Sequence, residues 1–222
     1  MKKVSLTRSE EDHLKAIHTA LAAGGKASTN AISERLNTKA SSVTDMLKRL
    51  AEKKLVKHEP YHGAKLTAHG EKLALKLVRK HRLWETFLVA RLGFGWNEVH
   101  DVAEQLEHVT SEKLVEKLDE YLGRPAFDPH GDPIPDRDGK MKERVTERLS
   151  DRSVGSQVRI VAVEHSTDAL LDHLDRKGIS IGMRLRIVGR DEFDGSLELR
   201  EKNGPLYTLS AQVAHALFTE NT

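Results

Sequence analysis

Four side chains able to bind a metal ion fall within nine residues of the stretch HDVAEQLEHV: His100, Glu104, Glu107 and His108. At offsets of 0, 4, 7 and 8 they share one face if the stretch is a continuous helix. The preceding helical pattern adds His81 and Glu85, again four apart, so six donors stand on two successive elements. The chain has no cysteine, which removes disulfides, catalytic thiols and thiolate metal sites. Carboxylate and imidazole donors suit a hard or borderline ion, Mn²⁺ or Fe²⁺ before Zn²⁺. The plainer alternative is a solvated glutamate face with histidines packed beside it. Catalysis has little support. A zinc peptidase needs His-Glu-x-x-His or its inverse, and the residue four before His108 is Glu104. Neither a nucleophile context nor a glycine-rich phosphate loop is present. The expectation is a metal-binding protein that is not an enzyme.

The elements that must position these donors begin with three short helices. SEEDHLKAIHTALAAGG reads as the first, with Ser9 as N-cap, Leu14, Ile17 and Leu21 inward, and Gly24-Gly25 as its stop. STNAISERLNT is the second, capped by Ser28 or Thr29 around Ile32 and Leu36. KASSVTDMLKRLAEKKLV is the third, with Val43, Met46, Leu47 and Leu50 at helical spacing. LVKHEPYHGAKLT then reads as two extended arms around Pro60 and Gly63. Three helices and a β-hairpin make a winged helix-turn-helix over residues 1–66. Ser41, Ser42 and Thr44 would meet base edges or phosphates, with Lys39, Lys48 and Arg49 on the backbone. Lys57, His58, Tyr61, His62 and Lys65 would press the wing onto a neighbouring groove, and Thr7, Arg8 and Ser28 are further candidate DNA contacts. Residues 1–65 carry 13 Lys/Arg against 7 Asp/Glu, although the whole chain is only +2, which suits a polyanion such as double-stranded DNA. A three-helix protein-binding module is the alternative.

Residues 67–123 form a helical domain. Its helices are AHGEKLALKLVRKHRLWETFLVARLG ending at Gly93, WNEVHDVAEQLEHV, and SEKLVEKLDEYLG between Ser111 and Gly123. The cluster of Leu83, Trp84, Phe87, Leu88, Leu92 and Phe94 suits a homodimer interface, or else an intrachain core. Proline and glycine break the pattern in GRPAFDPHGDPIPDRDG, so residues 124–155 read as a linker. Residues 156–222 then alternate apolar and polar residues in QVRIVAVE, MRLRIVGRD, GSLELRE and GPLYTLS, with turns at Asp194-Gly195 and Asn203-Gly204 and the helix STDALLDHLDRKG inserted. That is a small SH3-like β-barrel. The fold class is mainly α with small β. No apolar run approaches the roughly 20 residues of a membrane span and the start has no apolar signal core, so the protein is expected in the cytoplasm, away from membranes.

In RKHRLWETFL, VHDVAEQLEHV and FDPHGDPIP, behind a winged helix and ahead of an SH3-like domain, the chain resembles the diphtheria toxin repressor family of iron- and manganese-dependent transcriptional repressors. The resemblance covers essentially the whole chain. It implies one metal site at Asp12, Glu104, Glu107 and His108, and another at His81, Glu85 and His100. The second usually has a donor from the SH3-like domain, here Glu164, His165 or Asp168, with Asp168 preferred. Iron-sensing members carry Met and Cys where Asp12 and Glu104 stand, so this chain looks closest to manganese-responsive members with three domains. One departure is Lys15, where manganese regulators without an SH3-like domain carry a second carboxylate. The resemblance implies a dimer on a palindromic operator of metal-uptake genes, with Mn²⁺ as cofactor, Fe²⁺ as the alternative, Zn²⁺, Co²⁺ or Cd²⁺ as in-vitro substitutes, and no organic cofactor. The rival classes are a metal-dependent enzyme with an appended DNA-binding domain and a metal-storage or scaffold protein.

Overall fold

Thr7 and Glu10 open the first helix by capping each other. The Thr7 hydroxyl accepts from the Glu10 N–H at 3.3 Å and the Glu10 carboxylate accepts from the Thr7 N–H at 2.9 Å. This reciprocal cap satisfies two amide donors at once and starts α1 (Arg8–Ala22) two residues ahead of the start marked by Ser9. The computed structural model of the chain describes residues 6–59, 63–164 and 167–222, the side chains of His58, Glu59 and Asp168 excepted. It divides into two compact units, one from residues up to 81 with 104–116 and 135–141, the other from 82–103, 117–134 and 142–222.

In the first unit α1 is followed by α2 (Thr29–Arg35) and α3 (Ala40–Glu52). Ser28 caps α2 by accepting from the Ala31 N–H at 3.2 Å. Strands β1 (Val56–Glu59) and β2 (Gly63–Leu66) pair antiparallel, Val56 opposite Leu66 and Lys57 opposite Lys65. Leu14, Ile17, Ile32, Val43, Leu47, Leu50 and Leu55 are fully buried in one core. Each such side chain contributes about 1.5–3 kcal/mol by leaving water. This is the winged helix-turn-helix expected from the apolar spacing. The hairpin leads into α4 (Ala68–Leu92), and Gly70 permits the close approach: a Cβ there would lie 2.0 Å from the Leu55 carbonyl oxygen.

Two further helices follow, α5 (Val99–Leu106) and α6 (Glu112–Tyr121), the latter capped by Ser111 through the Leu114 N–H. The second unit's sheet comprises β3 (Glu147–Arg148), β4 (Gln157–Val163), β5 (Arg184–Arg190), β6 (Leu197–Glu201), β7 (Leu206–Leu209) and β8 (Leu217–Asn221). Their order is β3-β8-β4-β5-β6-β7, every pair antiparallel, with α7 (Asp168–Lys177) and α8 (Ala211–Ala216) inserted. Val158, Ile160, Leu174, Leu185, Ile187, Leu197 and Leu199 form its core. This is the SH3-like domain, with β3, β8 and α8 added to the four strands and one helix read from the sequence. Leu149, fully buried in that core, and β3 fall within residues 124–155, where a linker was expected. A two-residue strand is too short to alternate, and β8 follows α8 with no turn residue to announce it. No described helix is long and apolar enough to cross a membrane.

Candidate metal centre

The helix that carries the opening motif stops inside it. α5 ends at Leu106, and the Val109 N–H closes a tight turn on the Leu106 carbonyl at 3.2 Å. His100, Glu104, Glu107 and His108 therefore do not share one helical face, because 3.6-residue periodicity ends before the last two. Glu107 and His108 stand on the turn and meet residues of α1 instead.

Glu107 is the hinge of the arrangement, its side chain only 1% exposed. Its Oε2 accepts from Lys15 Nζ at 2.7 Å and from His81 Nδ1 at 2.6 Å, while its Oε1 is buried with no hydrogen-bond partner. Burial alone would raise its carboxyl pKa, but the His81 hydrogen bond and the Lys15 charge outweigh that and hold it below the usual range. His108 Nδ1 lies 2.7 Å from Glu11 Oε2. A carboxylate only accepts, so the proton is assigned to Nδ1, and in the neutral ring Nε2 presents a lone pair. That Nε2 is buried without a hydrogen bond, 3.1 Å from Asp12 Oδ1 and 3.8 Å from Glu107 Oε1. Asp12, Glu107 and His108 thus offer three ligand atoms within 4.8 Å of one another. Two buried atoms left without partners, facing a third donor, are costly unless a cation joins them. The residues fit a divalent ion. Burial, with the Glu107 charge beside it, pushes the Asp12 carboxyl above its ordinary value despite His108 and Lys15. Glu104, a fourth expected ligand, lies at the rim with its side chain 46% exposed and Oε1 3.4 Å from Lys15 Nζ.

His81 and Glu85 stand one turn apart on α4. His81 Nδ1 donates to Glu107, so the ring nitrogen it would turn toward an ion is Nε2. Glu85 is buried, with Oε1 3.4 Å from His100 Nδ1 and Oε2 4.0 Å from His130 Nδ1. His130 was not among the expected ligands. Its Nε2 lies 2.7 Å from the Trp96 carbonyl, and with Glu85 and Asp128 it forms a further group of closely spaced donors. Burial and the neighbouring Glu85 and Asp132 charges push Asp128 well above the usual carboxyl range. Gly131, at φ +89°, lets this turn lie against β4: a Cβ would fall 2.1 Å from the Val161 oxygen. Of the SH3-like donors considered, Glu164 pairs with Arg148 at 2.7 Å, while His165 and the Asp168 side chain lie outside the described residues. Glu11 also escaped the sequence reading. The available signal was its position beside Asp12, which puts a second carboxylate on the same turn.

On the DNA-reading side, Lys39, Ser41, Ser42, Lys48 and Arg49 are exposed on α3 or at its start. Thr44 donates to the Ala40 carbonyl, and Lys48 pairs with Asp45 at 3.3 Å. Arg8, Lys57 and Lys65 are exposed. Thr7 and Ser28 use their hydroxyls as helix caps, a role that accounts for both without DNA. Tyr61, His62 and the His58 side chain lie outside the described residues.

Family models match along the chain: the iron dependent repressor N-terminal DNA binding domain over residues 5–64, the iron dependent repressor metal binding and dimerisation domain over 67–136, and the FeoA domain over 147–221. The diphtheria toxin repressor of Corynebacterium diphtheriae is 32% identical over 200 residues, 85% of this chain and 86% of that protein. The chain belongs to the diphtheria toxin repressor family. A solved manganese-dependent transcriptional repressor in complex with manganese superimposes with a TM-score of 0.86 at 36% identity, covering 96% of this chain and all of that one. A probable metal transport system membrane protein of Chlamydia trachomatis is 48% identical over 79 residues, but the chain spans only 18% of that protein's length. Membership makes the chain a metal-dependent transcriptional repressor.

Proposed function

We propose that the protein is a Mn²⁺-responsive repressor that binds a palindromic operator of metal-uptake genes as a homodimer. The observation that carries this reading is the meeting of Asp12, on a helix of the DNA-reading domain, with the unpartnered Glu107 Oε1 and His108 Nε2 beyond α5. Asp12, Glu104, Glu107 and His108 would hold one ion, and His81, Glu85 and His100 a second, with Asp168 as a further donor. When bound, the ion supplies a divalent positive charge. Asp12 then holds α1 to Glu107 and His108, while Glu11 keeps the His108 ring turned toward the ligand position. Fixing α1 narrows the orientations open to α3, whose exposed Ser41 and Ser42 face a major groove. Lys39, Lys48, Arg49, Lys57 and Lys65 neutralise phosphates. Trp84, Phe87 and Tyr121, with the exposed aliphatic Leu92, give each copy an apolar face for pairing, which would set two α3 helices about one helical turn apart.

Oxygen and imidazole donors with no sulfur favour Mn²⁺. Fluorescence anisotropy on a palindromic promoter fragment, with excess nonspecific DNA and with or without Mn²⁺, tests the proposal. Specific binding only with Mn²⁺ is expected, and metal-independent or purely nonspecific binding would overturn it.

The second reading is an iron-responsive repressor, favoured by the iron dependent repressor models and by imidazole donors that also suit Fe²⁺. Substituting Asp12→Met together with Glu104→Cys should move the preference toward Fe²⁺, because softer donors favour the later metal. An unchanged preference would show that these two positions do not set it.

A further inference from the structure

The outward face of the SH3-like sheet sets arginine against arginine. On β5, Arg184 and Arg186 are exposed while Leu185 and Ile187 are buried, and on β6 exposed Arg200 follows buried Leu199. The register puts Arg184 opposite Arg159 of β4, and Arg186 opposite Arg200. Like charges directly opposite on neighbouring strands repel and cost stability. Arg159 is answered by an acid, its Nε 3.0 Å from Glu220 Oε1 on β8. The other three are not. Glu198, two residues before Arg200, turns to Gly189, with Oε2 3.0 Å from where a Cβ would stand there. The residue opposite Arg200 on β7 is Leu206. Arg184, Arg186 and Arg200 make no ion pair or side-chain hydrogen bond with any described residue.

Successive outward residues stand about 7 Å apart along a strand, and neighbouring strands about 5 Å apart. Three unanswered guanidiniums at that spacing are a cost to the domain by itself, and a polyanion of similar charge spacing relieves it. Duplex DNA carries a phosphate about every 3.4 Å along each strand, and guanidinium forks match phosphate oxygens. A repressor brings this domain to DNA whenever it binds its operator. We propose that Arg184, Arg186 and Arg200 form a second, sequence-independent DNA contact that takes the phosphates of duplex flanking the operator. The contact needs only that the chain bind an operator, whichever metal it senses.

The test measures affinity of the full chain with Mn²⁺ across a salt series. The probes are a palindromic promoter fragment with long flanks and the same fragment trimmed to its palindrome. On the long duplex, Arg184→Gln with Arg186→Gln and Arg200→Gln should flatten the slope of log affinity against log salt by about two to three, at roughly 0.9 per phosphate contact. On the trimmed duplex, parent and triple variant should converge. Arg176→Gln with Lys177→Gln, which removes two exposed charges at the end of α7, should keep the parent's slope on both. Arg186→Glu should bind the long duplex more weakly yet raise the metal-free melting temperature, because it sets opposite charges across from each other at Arg200. Equal slopes for parent and triple variant on the long duplex, as a surface for an acidic protein would give, overturn the proposal. So does a difference that persists undiminished on the trimmed duplex, or an Arg186→Glu chain that melts below the parent. Failure of the Mn²⁺ reading looks different: fragment binding would then be the same with and without Mn²⁺, and the slopes would still be comparable.

Discussion

Glu11 Oε2 lies 2.7 Å from His108 Nδ1, and this bond across 97 positions of sequence decides which nitrogen faces Asp12 and Glu107. It is a carboxylate–histidine pair of the kind that orients metal-ligating imidazoles. Glu11→Ala should lower Mn²⁺ affinity about 10–100-fold with the fold retained. Glu11→Gln, whose amide oxygen can still accept, should lose less. Titration calorimetry checks both, and equal affinity in all three proteins would remove Glu11 from the centre.

Asp12 and Glu104 should differ in consequence. Asp12 contributes an oxygen to the tight group of donors, whereas Glu104 stands at the rim beside Lys15. Asp12→Ala should abolish metal-dependent operator binding. Glu104→Ala should weaken it and raise the Mn²⁺ concentration needed for half-saturation. A gel shift across a Mn²⁺ series separates them, and an Asp12→Ala chain that still responds to Mn²⁺ would sink the switch.

The raised Asp12 carboxyl gives a pH dependence of definite sign. The folded metal-free chain binds this proton more tightly than the unfolded chain, so the benefit exists at low pH and is lost as pH rises through the raised value. At neutral pH the ionised Asp12 is a cost, and Asp12→Asn should raise the metal-free melting temperature. Protons and Mn²⁺ compete for the same oxygen, so the Mn²⁺-induced rise in melting temperature should shrink toward acid pH and be smaller in Asp12→Asn, where only the second ion remains. Thermal shifts at several pH values check this; a metal-free Asp12→Asn chain that melts lower at neutral pH contradicts the burial cost.

The aromatic face should set assembly. Trp84 meets Phe87 edge-on with centroids 5.9 Å apart, and Phe87 lies 6.2 Å from Tyr121, which is 60% exposed. Phe87→Glu would place a charge in a face suited to burial, shifting the dimer toward monomer by at least ten-fold in dissociation constant, about 1.4 kcal/mol. Light scattering reads the mass. Operator affinity should fall while Mn²⁺ binding at Asp12 and His108 persists, and an unchanged dimer would place the interface elsewhere.

Helix periods made α1 to α6 legible, and the alternation of QVRIVAVE and GSLELRE did the same for β4 and β6. The donor inventory was equally plain, since it depends only on which residues are present. The assumption of one continuous helix through HDVAEQLEHV failed because periodicity shows which residues would share a face, not where the helix ends. His130 escaped because a proline-rich turn has no period to place it.

The sequence by itself determined the local elements, the basic charge of the first 65 residues and a donor set of oxygen and nitrogen without sulfur. The tertiary structure decided how those donors divide: Glu107 between Lys15 and His108, His108 turned by Glu11, Glu85 between His100 and His130. The physical reason is range. Helix and strand patterns arise from neighbours a few residues apart, whereas the charge balance and proton positions of the centre come from α1 side chains meeting residues 92 to 97 positions later.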